Sequence, residues 1–233
     1  MKYIILGLGN FGSSLAQKLT EAGNEVIGVD KDMDKVDRLK ESISHTICMD
    51  STDQFTVSGL PLKEADAVIV AIGEHQGANV MTTAVLKNLK VKRLISRAIT
   101  PLHETVLEAI GVHEVVHPEE ETAERWAKKL TLKGVVESFE LSSQYSIVEV
   151  NVPKRYAGKT LAEVGFRKHY NVVVLTTIKR EEKKNLLGLN RVVNTVQGVA
   201  SPKTVLEEED IMVIYGDNKD IEGLLNEKER KSL

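Results

Sequence analysis

The sequence predicts an α/β protein: a parallel sheet wound on both faces by helices, then one crossover helix, then a small α+β unit. Three observations carry this expectation. Residues 1–118 alternate short β-branched runs with stretches of helical apolar spacing, the rhythm of right-handed β-α-β units. The strand candidates are near-continuous apolar runs, as required where helices cover both faces of a sheet. After His117-Pro118 the rhythm changes to alternating strands.

Taken in order, the strand candidates are Tyr3–Leu6, Glu25–Val29, His45–Cys48, Ala67–Ile72, Arg93–Ser96 and Glu114–His117. Between them the spacing predicts helices over Phe11–Ala22, Asp34–Ser42, Thr52–Leu60, Gly77–Leu89 and Pro101–Ile110. Leu102, Val106, Leu107 and Ile110, for example, fall on one helical face. Residues 119–134 read as one amphipathic helix, with Glu119, Glu120 and Glu121 at its start, Lys128, Lys129 and Lys133 at its end and Gly134 after it. That polarity suits the helix dipole. Beyond it, strands are expected at Val135–Leu141, Ser146–Val152, Asn171–Ile178 and Ile211–Tyr215, with short helices at Thr160–Val164 and Asn218–Leu225. The expected organisation is therefore an α/β domain over 1–118, a linking helix over 119–134 and a C-terminal domain over 135–225. The charged tail Asn226–Lys231 is expected to fray.

Composition excludes several classes. The 233 residues are 42% hydrophobic and 28% charged, an ordinary globular balance. Residues 1–120 hold 12 basic and 17 acidic side chains; the remainder holds 19 and 17. Neither half offers the basic face that phosphate neutralisation needs, and aromatics are only 4%, so no nucleic-acid partner is expected. The longest apolar run, Ala67–Ile72, falls far short of the roughly 20 residues that span a bilayer. Met1 to Gly7 runs straight into a glycine turn without a small-residue cleavage site, so no signal peptide is expected. Cys48 is the single cysteine, which permits no internal disulfide and fits a reducing cytoplasm. Between Ile47 and Met49 it reads as a small core residue. His113 and His117 are four apart, but Glu114-Val115-Val116 between them reads as strand, so their spacing does not build a helical metal site.

The chemistry concentrates in Gly7-Leu8-Gly9-Asn10-Phe11-Gly12, a G-x-G-x-x-G directly after the first strand and opening the first helix. The first glycine permits a tight turn, the second lets backbone approach a pyrophosphate, and the third lets helix and strand pack closely. The helix N-terminus then faces the negative charge. Asp30 ends the second strand, where a carboxylate can accept both ribose hydroxyls and repels a 2′-phosphate. The bland alternative is a bare glycine turn with Asp30 capping the next helix. Asp50-Ser51, Ile72-Gly73 and Arg97 follow later strands, at the sheet end where open α/β sheets bind ligands. Asp50 either frames an adenine or caps a helix; Arg97 either reaches a phosphate or forms a surface ion pair.

At these residues the sequence resembles a known family. Gly7–Gly12, Asp30, Met49-Asp50-Ser51-Thr52, Val70-Ala71-Ile72-Gly73 and Val116-His117-Pro118-Glu119 resemble RCK (regulator of potassium conductance) domains, and within them the KtrA/TrkA group of bacterial potassium uptake systems. The second half resembles the TrkA-C module through Pro153–Leu161, Tyr170-Asn171-Val172, Thr176–Arg180, Pro202–Leu206 and Glu209–Gly216. The resemblance implies a Rossmann-like lobe, a crossover dimerisation helix and a regulatory C-lobe. It implies dimers assembled as an octameric ring under an integral-membrane, KtrB/TrkH-like potassium channel subunit at the inner face of the membrane. It also implies gating by ATP/ADP or NAD(H) and no catalysis. By that resemblance Gly7, Gly9, Asn10, Phe11 and Gly12 serve the phosphates, Asp30 the ribose, and Asp50 and Ser51 the adenine. Ile72, Gly73, Arg97 and Ala98 close the pocket, His103 approaches the nucleotide, and Glu119 holds a divalent cation such as Mg2+. ATP-preferring members carry arginine where this chain has Asn10, which moves the expectation toward ADP or NAD(H). Glu181–Ala200 is longer than usual and Glu209-Asp210 replaces Gly-Asp, so cyclic di-AMP near Arg180 competes with a plain solvated turn over Lys179–Lys184.

Rivals from other classes are weaker. An NAD-dependent oxidoreductase needs a positioned acid–base group; after Pro118 the chain offers His169 alone, in Arg167–Tyr170, which reads as an exposed turn. A redox-sensing repressor needs a helix-turn-helix and a basic recognition face. A freestanding nucleotide sensor stays open. Trp126 and Leu130, four apart on the crossover helix, read as packing rather than ligand residues, and the family resemblance implies that their stripe is an interface between subunits.

Overall fold

A computed structural model describes residues 1–131, 134–184 and 190–226. The chain divides into two compact units, Met1–Glu121 and Thr122–Leu233. In the first, strands and helices alternate: β1 (Lys2–Leu6), α1 (Asn10–Glu21), β2 (Glu25–Asp30), α2 (Met33–Leu39), β3 (His45–Cys48), α3 (Gln54–Val57), β4 (Ala67–Val70), α4 (Gln76–Asn88), β5 (Leu94–Arg97), α5 (Pro101–Ile110) and β6 (Glu114–Val116). The sheet order is β3-β2-β1-β4-β5-β6 and every pairing is parallel. This is the doubly wound Rossmann order, whose winding reverses between β1 and β4.

The apolar runs have the expected cause. Successive side chains of a strand leave opposite faces. Ile4 and Leu6 of β1 join Val29, Val68 and Val70 in one core layer, while Ile5 joins Ala16, Val26 and Ile69 in the other. Helix ends follow local chemistry. The Thr100 hydroxyl accepts the His103 N–H at 3.2 Å, Pro101 occupies the first turn of α5, and Gly111 closes it at φ +85°.

Helix α6 (Pro118–Thr131) contains the division between the units. It carries three acids in its first turn, Lys128 and Lys129 in its last, and no buried residue; Trp126 and Leu130 are exposed. The second unit continues with β7 (Val135–Glu140), β8 (Tyr145–Asn151), α7 (Leu161–Val164), α8 (Phe166–Tyr170), β9 (Val173–Lys184), β10 (Asn190–Val196), β11 (Ile211–Asp217) and α9 (Asn218–Asn226). Its sheet is antiparallel, ordered β10-β9-β11-β8-β7. Val148, Val150, Met212 and Ile214 pack with Val164, Phe166, Ile221 and Leu224 in its core. Thr160 and Glu163 form a reciprocal capping box at α7.

Three expectations need correcting. Lys179–Lys184 is not a turn but the second half of β9, paired antiparallel with β10 from Ile178–Val196 outward. Arg167, Lys168 and His169 are exposed as expected, but Arg167–Tyr170 is helical rather than a turn: it belongs to α8, bracketed by left-handed Gly165 (φ +64°) and Asn171 (φ +54°) and anchored by buried Phe166. Cys48 is exposed, because β3 is an edge strand and covers less than its apolar neighbours imply. Lys133 and the tail beyond Asn226 lie outside the described residues. No described helix is long and apolar enough to cross a membrane.

Candidate functional site

The C-terminal ends of β1 to β5 and the loops that follow them enclose a cleft of about 610 Å³. Of the residues singled out in the sequence, it is lined by Gly7, Gly9, Asn10, Phe11, Asp30, Asp50, Ser51, Ile72, Gly73, Arg97 and Glu119. Gly12, Ala98 and His103 do not line it; Ala98 and His103 are buried.

The three glycines of the first loop differ in what surrounds them. Gly7 sits at φ +100°, and a Cβ there would come within 2.9 Å of Ile72. A Cβ on Gly12 would collide with the Gly7 carbonyl oxygen, so this glycine sets how closely α1 approaches β1. At Gly9 a Cβ meets nothing within 4 Å, so that side of the loop is open. Gly9 is the N-cap of α1 and supplies no side-chain cap, and the first turn holds no acid. The first backbone bond of the helix is from Ser13 N–H to the Gly9 carbonyl, at 2.9 Å. The N–H groups of Asn10 and Phe11, which precede it, therefore lack helical partners at the positive end of the helix dipole.

Asp30 braces this loop. Its Oδ2 accepts the Leu8 N–H at 2.7 Å and its Oδ1 accepts the Asp32 N–H at 2.9 Å. Each carboxylate oxygen has two lone pairs, so one on each remains for a further donor. The capping alternative for the next helix is met by Asp32, which accepts the Asp34 N–H. Asp50 accepts both the backbone N–H (2.9 Å) and the hydroxyl (2.7 Å) of Thr52, and these bonds hold its carboxyl below the usual carboxylate range. Asp50 is not a helix cap: Asp53 caps α3 by accepting the Phe55 N–H.

Arg97 reaches back from the end of β5 across Gly73, and any side chain on Gly73 would meet its guanidinium. It bonds Glu119, approaches the Ala71 carbonyl at 3.5 Å and lies 5.8 Å from the centre of the Phe11 ring. Arg97 is 14% exposed and Glu119 62%, so the pair is one-sided rather than a freely solvated surface bridge. Among the described residues the buried Arg97 Nε has no hydrogen-bond partner.

Other lining residues escaped the sequence reading. Lys31, Lys35, Glu74, His75 and Met81 also face the cleft, and Lys35 and Glu74 pair at 3.5 Å. Asn79, wholly buried on α4, donates to the carbonyls of Ile72 (2.9 Å) and Arg97 (3.1 Å). The available signal was position: Asn79, Thr82, Thr83 and Leu86 keep the i, i+3, i+4, i+7 spacing of a core stripe although three are polar. The histidine pair is dispersed. His113 Nδ1 accepts the Leu94 N–H, while His117 faces Glu104 at 3.2 Å. No cluster of three acidic, His or Cys side chains fit for a metal occurs among the described residues.

Comparison with known proteins places these features. The TrkA-N domain model matches residues 3–118. Ktr system potassium uptake protein C of Bacillus subtilis is 36% identical over 222 residues, covering 94% of each chain. Ktr system potassium uptake protein A of the same organism is 30% identical over 226 residues, covering 97% of this chain and 96% of the relative. Among solved structures, the GsuK RCK domain has a TM-score of 0.65 at 20% identity, over 98% of this chain and 48% of that one. The chain thus spans about half the length of the GsuK chain and shares its fold. With a Rossmann sheet, a glycine loop opening on the switch-point cleft and relatives matched along almost their whole length, the chain belongs to the KtrA/TrkA family of RCK-domain potassium uptake proteins.

Proposed function

We propose that this chain is a regulatory, non-catalytic subunit that gates a membrane potassium channel or transporter in response to an adenine nucleotide bound in the cleft of the first unit. The observation that carries the reading is the cleft itself: an uncapped helix N-terminus at Gly9–Phe11 and a carboxylate at Asp30 with spare acceptor capacity open into one cavity. That arrangement supplies donors for phosphates and acceptors for a ribose. Asp50 and Ser51 are assigned to the adenine end, and Ile72, Gly73, Arg97 and Glu119 to the phosphate end.

The potassium uptake relatives support the membrane partner and the location at the inner face of the membrane. The exposed Trp126 and Leu130 on α6 suit a second copy, and dimers joined in an octameric ring are the assembly proposed. Gating then requires no bond making. A nucleotide that binds one ring shape better shifts the population by its differential affinity. Glu74, Glu119, Asp30 and Asp50 outnumber Lys31, Lys35 and Arg97 around the cleft, four acids to three bases. A polyphosphate entering that field benefits from a divalent cation, and Mg2+ commonly takes one or two carboxylates plus phosphate oxygens. Glu119 is the proposed carboxylate.

Titration of the purified chain with ATP, ADP, NAD and NADH, with and without magnesium, by calorimetry tests this reading. Tight ADP binding is expected; tight ATP binding favoured by magnesium as well would show that an ATP/ADP switch operates despite Asn10. NADH preferred by about tenfold or more, roughly 1.4 kcal/mol, would recast the chain as a redox-coupled regulator; no binding of any of the four would remove the proposal. Gly9→Asp is the matched control. Its side chain enters open space, so the fold is kept, while a carboxylate occupies the phosphate position and ADP binding is lost.

A further inference from the structure

Helix α4 faces the interior with polar groups where an amphipathic helix is usually apolar. Asn79, Thr82 and Thr83 are all fully buried; Asn79 and Thr83 share one network at the ends of β4 and β5, and Thr82 bonds Ser51 after β3. The Asn79 amide donates to the Ile72 carbonyl at 2.9 Å and the Arg97 carbonyl at 3.1 Å. Its Oδ1 accepts the Ser96 hydroxyl at 3.1 Å, and Ser96 lies 3.1 Å from the Thr83 hydroxyl. Two carbonyls on one side and two hydroxyls on the other admit only one orientation of the amide. The Thr82 hydroxyl lies 3.0 Å from that of Ser51.

We infer that this buried face of α4 is the positioning device of the cleft, with Asn79 setting the phosphate end and Thr82 the adenine end. The inference rests on the nucleotide reading given above. Parallel strands leave their C-terminal carbonyls without a ladder partner once neighbouring chains diverge, and each such group must be satisfied elsewhere. The Asn79 amide does this for the ends of β4 and β5 together, so the loop bearing Ile72 and Gly73 cannot move independently of the backbone bearing Arg97. Arg97 lies across Gly73, so a slip between the two loops changes the guanidinium's position at the cleft wall. None of the three α4 side chains lines the cleft. They act through the loops they hold.

The two ends predict different ligand dependence. Asn79→Leu keeps the number and branching of the side-chain heavy atoms and removes the donors to both carbonyls. It should weaken ADP by at least about tenfold, the scale of leaving buried carbonyls without donors, while adenosine, which has no phosphate, is weakened much less. Thr82→Val should weaken ADP and adenosine by the same factor, and Thr82→Ser should restore both. Calorimetry with ADP, and displacement of ADP by adenosine, read these values; the melting temperature of each ligand-free variant is measured alongside. Should Asn79→Leu fail to fold, Thr83→Val, with Thr83→Ser as its rescue, reports on the same network. Equal loss of ADP and adenosine in the Asn79 or Thr83 variants, or wild-type ADP affinity in them, overturns the inference while leaving the nucleotide reading intact. An unaltered chain that binds no ADP overturns both.

Discussion

Asp30 shows how one side chain can brace the fold and still keep acceptor capacity open to a cleft. It closes a ring between the end of β2 and the glycine loop by accepting the Leu8 and Asp32 N–H groups, and this fixes the loop before any ligand arrives. Asp30→Ala should therefore have two effects. Leu8 N–H loses its partner and the ligand-free protein is destabilised, and adenine nucleotides lose a charged acceptor worth roughly 1.5–3 kcal/mol. Calorimetric affinity and thermal unfolding of the ligand-free variant measure the two separately; unchanged ADP affinity would leave Asp30 only its bracing role. Gly9 is the opposite case, because its substitution leaves the fold untouched and the space in front of the helix filled.

At the scale of elements, α5 carries a pH-dependent cost. It buries His103 and Leu107, four apart on one face. Neither ring nitrogen of His103 has a partner among the described residues, and burial pushes its pKa below the ordinary histidine value. The folded state therefore favours neutral imidazole, and the unfolded chain takes up the proton first as pH falls. Stability tied to this residue is complete above about pH 6.5, the unperturbed histidine value, and declines below it. Urea unfolding between pH 7.5 and 5 should show a smaller loss for His103→Leu than for the parent chain. Helix α5 also shows what was legible in advance: Thr100, Pro101 and Gly111 mark both its ends with local chemistry, and the glycine loop with Asp30 announced the cleft. What stayed hidden depended on distant partners. The charged Lys179–Glu181 stretch pairs through its backbone with Val193–Thr195, which side-chain polarity does not report. Asn79 and Thr83 keep the spacing of a core stripe, but the sequence names no partner for their polar groups until β4 and β5 bring carbonyls and a hydroxyl to them. Cys48 reads as core until the sheet order makes β3 an edge.

For the whole molecule, the cleft belongs to Met1–Glu121 alone, while Trp126, the single tryptophan, lies in the second unit. ADP at 100 times its Kd should stabilise the unit that binds it by about 2.7 kcal/mol. Scanning calorimetry reads that shift, and tryptophan fluorescence reads the second unit in the same melt. A fluorescence transition that moves with the calorimetric one means that both units unfold as one cooperative body; no calorimetric shift would contradict binding in the cleft. The strand order has one more consequence. β1 pairs with β2 on one side and with β4 on the other, so the glycine loop is complete long before the wall that faces it. A chain emerging from the ribosome presents Gly7–Gly12 and Asp30 early, but Ile72 and Gly73 join them only after two further crossovers have docked, and Arg97 after a third. The cleft is thus complete only about midway through synthesis, once both halves of the parallel sheet have met.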